Sequence, residues 1–226
     1  KLDARQVRRI NLPSKLKQCT ANSAGDVYIN EQTVGVWHLN GNPEADLAAT
    51  LVDAPRLGHL GEENEGVALY DGGKDSQWLL VSNTSEGRFN FYDRAHDYAL
   101  LGSFSVSPGD QKDTVADLGP LFATSAALGS GFPHGVLLIG DEDGGSNYKL
   151  VSMADVASAL KLSSGTPQDP RNAPKPAIAT VTALVETRPV GSYGDAADDP
   201  AIWAHPTDPA KSLVVATDKK AGMVVY

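Results

Sequence analysis

The chain has a single cysteine, Cys19, among 226 residues. An internal disulfide is therefore impossible and a cysteine-ligated zinc site is excluded. Cys19 reads as a small buried residue. No apolar run approaches the roughly 20 residues that span a bilayer. Five histidines (His38, His59, His96, His134 and His205) show no metal-ligand spacing. There is no G-x-S-x-G, so a serine hydrolase has no nucleophile elbow. Gly72-Gly-Lys-Asp-Ser76 lacks the leading glycine of a P-loop and reads as a hairpin turn. Asp141-Glu-Asp-Gly144 lacks EF-hand spacing and the glutamate at loop position twelve. Basic charge is also short: the net charge is −9. Such a surface repels nucleic acid phosphates, and a polyanionic substrate would need a divalent cation to invert the local charge.

What is present is a repeat. Four times an apolar strand, a short turn and a second apolar strand follow one another: Asp26 to Asn30 with Val34 to Leu39, Gln77 to Ser82 with Arg88 to Tyr92, Gly135 to Gly140 with Asn147 to Val151, and Ser212 to Ala216 with Gly222 to Tyr226. The first three recur at about 50 to 60 residues, a period of propeller blades. Weaker strands precede the later pairs at Gly66 to Tyr70, Leu121 to Ala123 and Ala201 to Trp203. Another follows at Gly102 to Val106, and a further strand is expected at Gln6 to Ile10. Trp37, Trp78 and Trp203 are expected in blade cores. One helix is expected over Met153 to Leu162 with Ser152 as N-cap. Four prolines between Ser163 and Pro176 then mark an extended linker. The expected organisation is blades over 1–162, a linker over 163–179 and a new blade over 180–226.

Carboxylates gather near strand ends: Glu31, Glu62, Glu63, Glu65, Asp117, Asp141, Asp143, Asp195, Asp198 and Asp199. In a propeller such loops converge on one face. Calcium takes six to eight hard oxygens there, bridging phosphate oxygens and orienting water.

The run D-A-A-D-D-P-A-I-W from Asp195 to Trp203, with T-D-K-K from Thr217 to Lys220, resembles the opening of a calcium-dependent β-propeller phytase. Gly25-Asp-Val-Tyr-Ile29 with Val36-Trp37, Glu63-Asn-Glu-Gly66, Phe91-Tyr-Asp-Arg94, Phe132-Pro-His-Gly135 and Asn147 to Val151 resemble later blades of the same family. The order is rotated: late blades, linker, first blade. A tandem two-domain parent gives that order. The resemblance implies an all-β, six-bladed propeller, of which this chain supplies three to four four-stranded antiparallel blades. It also implies a secreted enzyme that hydrolyses phytate by calcium-assisted water attack on phosphorus.

By the same resemblance Asp199 and Asp198 are metal ligands, and Lys219, with Lys220 beside it, grips phosphate. Glu63, Glu65, Asp117, Asp141 and Glu31 fall at acidic calcium-site positions, and Asp199, Lys219 and Glu65 are the catalytic candidates. The departures are Gln18-Cys19 where the family has E-G, Glu31-Gln32 where it has paired acids, and Ala116 to Phe122 where it has T-D-G-I-D. These departures support an alternative, a non-catalytic module that binds calcium phytate and assists an active phytase domain. The linker offers a hinge for a homodimer that exchanges its C-terminal blade; a second phytase domain in the parent chain is the other expected partner. Neither nucleic acid nor a membrane is expected as a partner.

Overall fold

The computed structural model describes residues 3–108, 115, 118–142, 147–169 and 179–226. The chain divides into two compact units, Lys1–Pro174 and Lys175–Tyr226.

The larger unit holds three antiparallel sheets. The first runs in the order β1 (Leu16–Ala21), β2 (Asp26–Glu31), β3 (Gly35–Asn40) and β4 (Ala49–Asp53). The second is β5 (Asn64–Asp71), β6 (Gln77–Asn83), β7 (Arg88–Asp93) and β8 (Ala99–Phe104). The third has three strands, β9 (Leu118–Thr124), β10 (Val136–Asp141) and β11 (Asn147–Ser152). Each is a meander of neighbouring hairpins, as in propeller blades. The first strands gather together, β1 beside β5 and β5 beside β9.

Packing follows from strand alternation. In β6, Trp78 and Leu80 face one core with Tyr70, Phe91, Leu121 and Ile139, while Leu79 and Val81 face the other with Tyr28, Val36 and Tyr92. The middle sheet is thus buried on both faces, which is why β6 reads as a continuous apolar run. Tyr70 stacks on Trp78 with ring centroids 4.9 Å apart. Helix α1 (Met153–Ala159) closes the first core with Met153, Val156 and Ala157, the i, i+3, i+4 stripe of an amphipathic helix. Its N-cap is Ser152, whose side chain makes no capping hydrogen bond.

The smaller unit is one three-stranded sheet: β12 (Ala197–Trp203), β13 (Leu213–Asp218) and β14 (Gly222–Val225). Its apolar side chains Ile202, Met223 and Val225 are exposed.

All eight strands of the four expected pairs are present within a residue or two of their expected bounds. Four expectations are corrected. Residues 6–10 form no strand; the edge of the first sheet is β1 instead. Cys19 is exposed, because an extra residue earlier in β1 turns Thr20 inward and leaves Cys19 outward. Trp203 is half exposed and packs edge-on against His205 rather than in a core, and Trp37 is half-buried outside both cores, with Trp78 alone of the three in one. Among the described residues, two of the four sheets have three strands, not four. No helix of the described residues is long and apolar enough to cross a membrane.

Candidate functional site

The site is built from a corner that recurs in every sheet, where the first strand starts and the second ends. Three steps along β5, from Asn64 to Val67, face two steps along β6, from Asn83 to Val81. The same one-residue excess occurs in β1 between Leu16 and Cys19, in β9 between Leu118 and Leu121, and in β12 between Ala197 and Pro200. Each is a β-bulge, which bends the strand and re-aims its side chains. Two further features confirm the register. The backbone N–H just past the second strand donates to the residue just before the first: Gln32 to Lys15 at 3.0 Å, Thr84 to Glu63 at 3.0 Å and Lys219 to Ala196 at 2.9 Å. In the same three corners, the buried side chain ending the second strand accepts an N–H from the incoming loop. Ser14 donates to Glu31 at 2.9 Å, Gly61 to Asn83 at 3.1 Å and Ser192 to Asp218 at 3.1 Å.

Equivalent positions can therefore be read across the corners. The bulge holds Lys17 and Gln18, Glu65 and Gly66, Gly119 and Pro120, and Asp198 and Asp199. The second strand ends on Glu31, Asn83, Asp141 and Asp218, followed by Gln32, Thr84, Glu142 and Lys219.

The smaller unit's corner brings its two motifs together. Lys219 Nζ donates to both carboxylate oxygens of Asp195 at 3.2 Å and lies 3.5 Å from Asp198. Lys220 Nζ donates to the Tyr193 carbonyl at 2.5 Å. Asp218, beneath them, accepts backbone N–H groups from Lys220 and Ser192. Burial opposes its ionisation, but those hydrogen bonds outweigh it and hold its carboxyl below the usual range. Asp199 is exposed, and no described residue hydrogen-bonds or ion-pairs with its carboxylate. The corner thus presents an unengaged carboxylate and a second beside it, with an ammonium held by exposed and replaceable partners.

The larger unit's expected ligands are engaged differently. Glu31 is fully buried, and its two oxygens take Ser14 N–H, Ser14 Oγ–H and Trp37 Nε1–H. Burial raises its carboxyl, but these donors win and the net shift is downward. Its oxygens hold the incoming loop. Glu65 receives the Lys17 ammonium, with Gln32 Nε2 at 3.4 Å on the same oxygen. Asp141 is buried, with Lys149 Nζ at 3.3 Å. Glu63 is exposed at the loop surface. Asp117 and Asp143 lie outside the described residues. Among the described residues, no three of His, Cys, Asp and Glu come together as a group able to hold a metal.

Gln18 closes the corner of the first sheet onto the other two. Its Oε1 accepts the N–H of Val67 at 3.1 Å and of Leu121 at 2.8 Å, and its Nε2 donates to the Leu121 carbonyl at 2.5 Å. Sequence reading took Gln18 as a lost acid; in the structure it ties three sheets together. Lys17 carries no signal in the sequence, and Asp218 shows only as part of T-D-K-K, not as the anchor of the incoming loop. Aligning the second strands on their final residues, Glu31, Asn83, Asp141 and Asp218, would have exposed the recurring corner.

The Phytase family profile matches this chain twice, over residues 1–172 and 149–226. The chain belongs to the phytase family. A 3-phytase of Bacillus subtilis (strain 168) is 23% identical over 164 residues, covering 69% of this chain and 43% of that protein. The chain thus spans less than half the length of this phytase relative. Within a phytase-family chain, the recurring corner gives the acidic motifs of the described residues a structural address, and among the described corners the smaller unit's combines two bulge acids and a lysine.

Proposed function

We propose that this chain hydrolyses phosphomonoesters of phytate with calcium, through the corner of Asp198, Asp199 and Lys219. The observation that carries the reading is the meeting of D-A-A-D-D with T-D-K-K through Lys219, Asp195 and Asp198. Membership of the phytase family supports the substrate class.

The donors have the right chemistry for calcium: hard, exposed carboxylate oxygens, with Asp199 unengaged. Asp198 and Asp199 supply part of the oxygen set, leaving room for water and substrate phosphate. When bound, the ion would neutralise phosphate charge and lower the pKa of a bound water. Lys219 is placed by its backbone hydrogen bond to Ala196. Its ammonium would exchange Asp195 for a phosphate oxygen and steady the charge that grows as the P–O bond breaks. Lys220 stands beside it for a neighbouring phosphate. Glu65 enters no step, because Lys17 engages it.

We also propose that the larger unit represents late blades of one propeller and the smaller unit the first blade of another. The two family matches, which overlap over residues 149–172, support this reading. The exposed Ile202, Met223 and Val225 support completion of the smaller unit by exchange with a second copy or by a further phytase domain. A monomer mass by light scattering at high concentration would rule out exchange.

A second reading, a non-catalytic module that binds calcium phytate, is favoured by the engaged carboxylates of the larger unit. Phosphate release from phytate, measured with excess calcium and then with chelator, separates the two. The enzymatic reading predicts release only with calcium, reduced at least tenfold by Asp199→Ala. Release indifferent to chelator removes the metal role. Calcium-dependent phytate binding without release, from folded protein, establishes the module.

A further inference from the structure

We infer that Lys17 is the resident cation of the larger unit, so that Glu65 is neutralised by the protein itself and binds no calcium. The register makes Lys17 the counterpart of Glu65 and of Asp198, the first residue of the bulge in three of the four corners; in the fourth that residue is Gly119. Two of those three positions carry a carboxylate; the third carries an ammonium, and it contacts Glu65 directly.

Both partners are largely removed from solvent, with side-chain exposures of 18% for Lys17 and 13% for Glu65. A desolvated pair of this kind is screened little by salt. Lys17 is held above its ordinary pKa, first by the hydrogen bond to Glu65, against the cost of burial, with further attraction from Glu65 and Glu142. Across the corner of the third sheet, Glu142 packs against Gly119. A Cβ there would lie 2.9 Å from Glu142 Cγ and 3.0 Å from its Oε1. Gly66, next to Glu65, is equally constrained: its Cβ would meet the Gly119 carbonyl at 2.8 Å. Close approach of the inner strands thus brings Lys17 of the first sheet onto Glu65 of the second.

A divalent ion at Glu65 would have to displace a covalently tethered ammonium whose effective concentration is far above any free cation. It would also find one Glu65 oxygen already shared with Gln32. Nearby, Lys149 plays the same part toward Asp141.

The inference is independent of whether the chain releases phosphate, because its readout is calcium binding rather than turnover. Calcium would be titrated calorimetrically into the full chain and into Glu65→Gln, Lys17→Glu and Lys17→Glu with Glu65→Gln, each checked for fold by circular dichroism. Wild type and Glu65→Gln are expected to bind the same number of ions with affinities within twofold. Lys17→Glu is expected to gain one ion per chain, or to require calcium to fold, and the added Glu65→Gln change to abolish that gain. If Glu65→Gln fails to fold, Lys17→Met with Glu65→Gln replaces it, leaving no unpaired charge. Loss of a calcium ion on neutralising Glu65, or no gain in Lys17→Glu, would overturn the inference.

Discussion

The corner of the first sheet and the corner of the smaller unit have the same backbone and different charges. Both have the bulge, the hydrogen bond from beyond the second strand and a buried acid anchoring the incoming loop. In the first sheet the bulge carries Lys17 and Gln18, whose polar atoms are used up by neighbouring sheets. In the smaller unit it carries Asp198 and Asp199, open to solvent, with the lysine moved to the following turn. The difference teaches that one scaffold serves two ends. Where the corner's polar groups bond across sheets they hold them together, and where they face outward, as Asp199 does, they carry the ligand role proposed above.

Four experiments sharpen or break that contrast, beginning with the largest effect. Gln18→Ala would leave the Val67 and Leu121 N–H groups and the Leu121 carbonyl without their partner. A loss of about 2–4 kcal/mol is expected in urea unfolding, at roughly 1–3 kcal/mol per unsatisfied buried group after partial relaxation. The counterpart change Asp199→Ala should move stability by under about 0.5 kcal/mol, as for an uninvolved surface residue. Equal losses at the two positions would erase the distinction.

Next come the lysines. Lys17→Met strands Glu65 in a mostly desolvated site and should cost about 2 kcal/mol, below the 3–5 kcal/mol of a fully buried pair. Lys219→Met breaks only exposed pairs and should cost under about 1 kcal/mol. Matching thermal melts for the two variants would contradict the assignment.

A smaller effect concerns pH. Glu31 has its folded pKa depressed below the ordinary 4.5, so its stabilisation is full above about that pH. It is lost as pH falls through the depressed folded value. Urea midpoints measured from pH 5 downward should fall less steeply in Glu31→Gln than in wild type. An unchanged slope would mean that Glu31 is not the loop anchor described. Smallest of all, Cys19→Ser should be neutral within about 0.5 kcal/mol. Native wild type should react with a thiol reagent without denaturant, since Cys19 is exposed.

Much of the fold was legible because half-buried strands announce themselves by alternation and the fully buried β6 by its apolar run. Strands β1 and β4 were missed: Leu16 to Ala21 mixes lysine, glutamine and threonine on an edge, and Ala49 to Asp53 is short and mostly exposed. Periodicity carries no signal there, and pairing alone makes them strands. The smaller unit's corner was legible because its chemistry is local, two short motifs joined by one hairpin. Glu31, Glu65 and Asp141 were recognised as notable but not for what they contact. Lys149 lies just across the β10–β11 hairpin from Asp141, but Ser14 comes from the incoming loop and Lys17 from another sheet, 48 positions from Glu65. A bulge also shifts register by one, so only backbone pairing shows that Lys17, rather than Gln18, matches Glu65.

The most direct test of the central claim is calorimetric titration of phytate into the full chain, with calcium and with chelator, for wild type, Asp199→Asn and Glu65→Gln. The account predicts calcium-dependent binding in wild type, a loss of at least tenfold in Asp199→Asn and an affinity within twofold of wild type in Glu65→Gln. Binding that survives Asp199→Asn and collapses in Glu65→Gln would place the ligand chemistry in the larger unit and contradict the account.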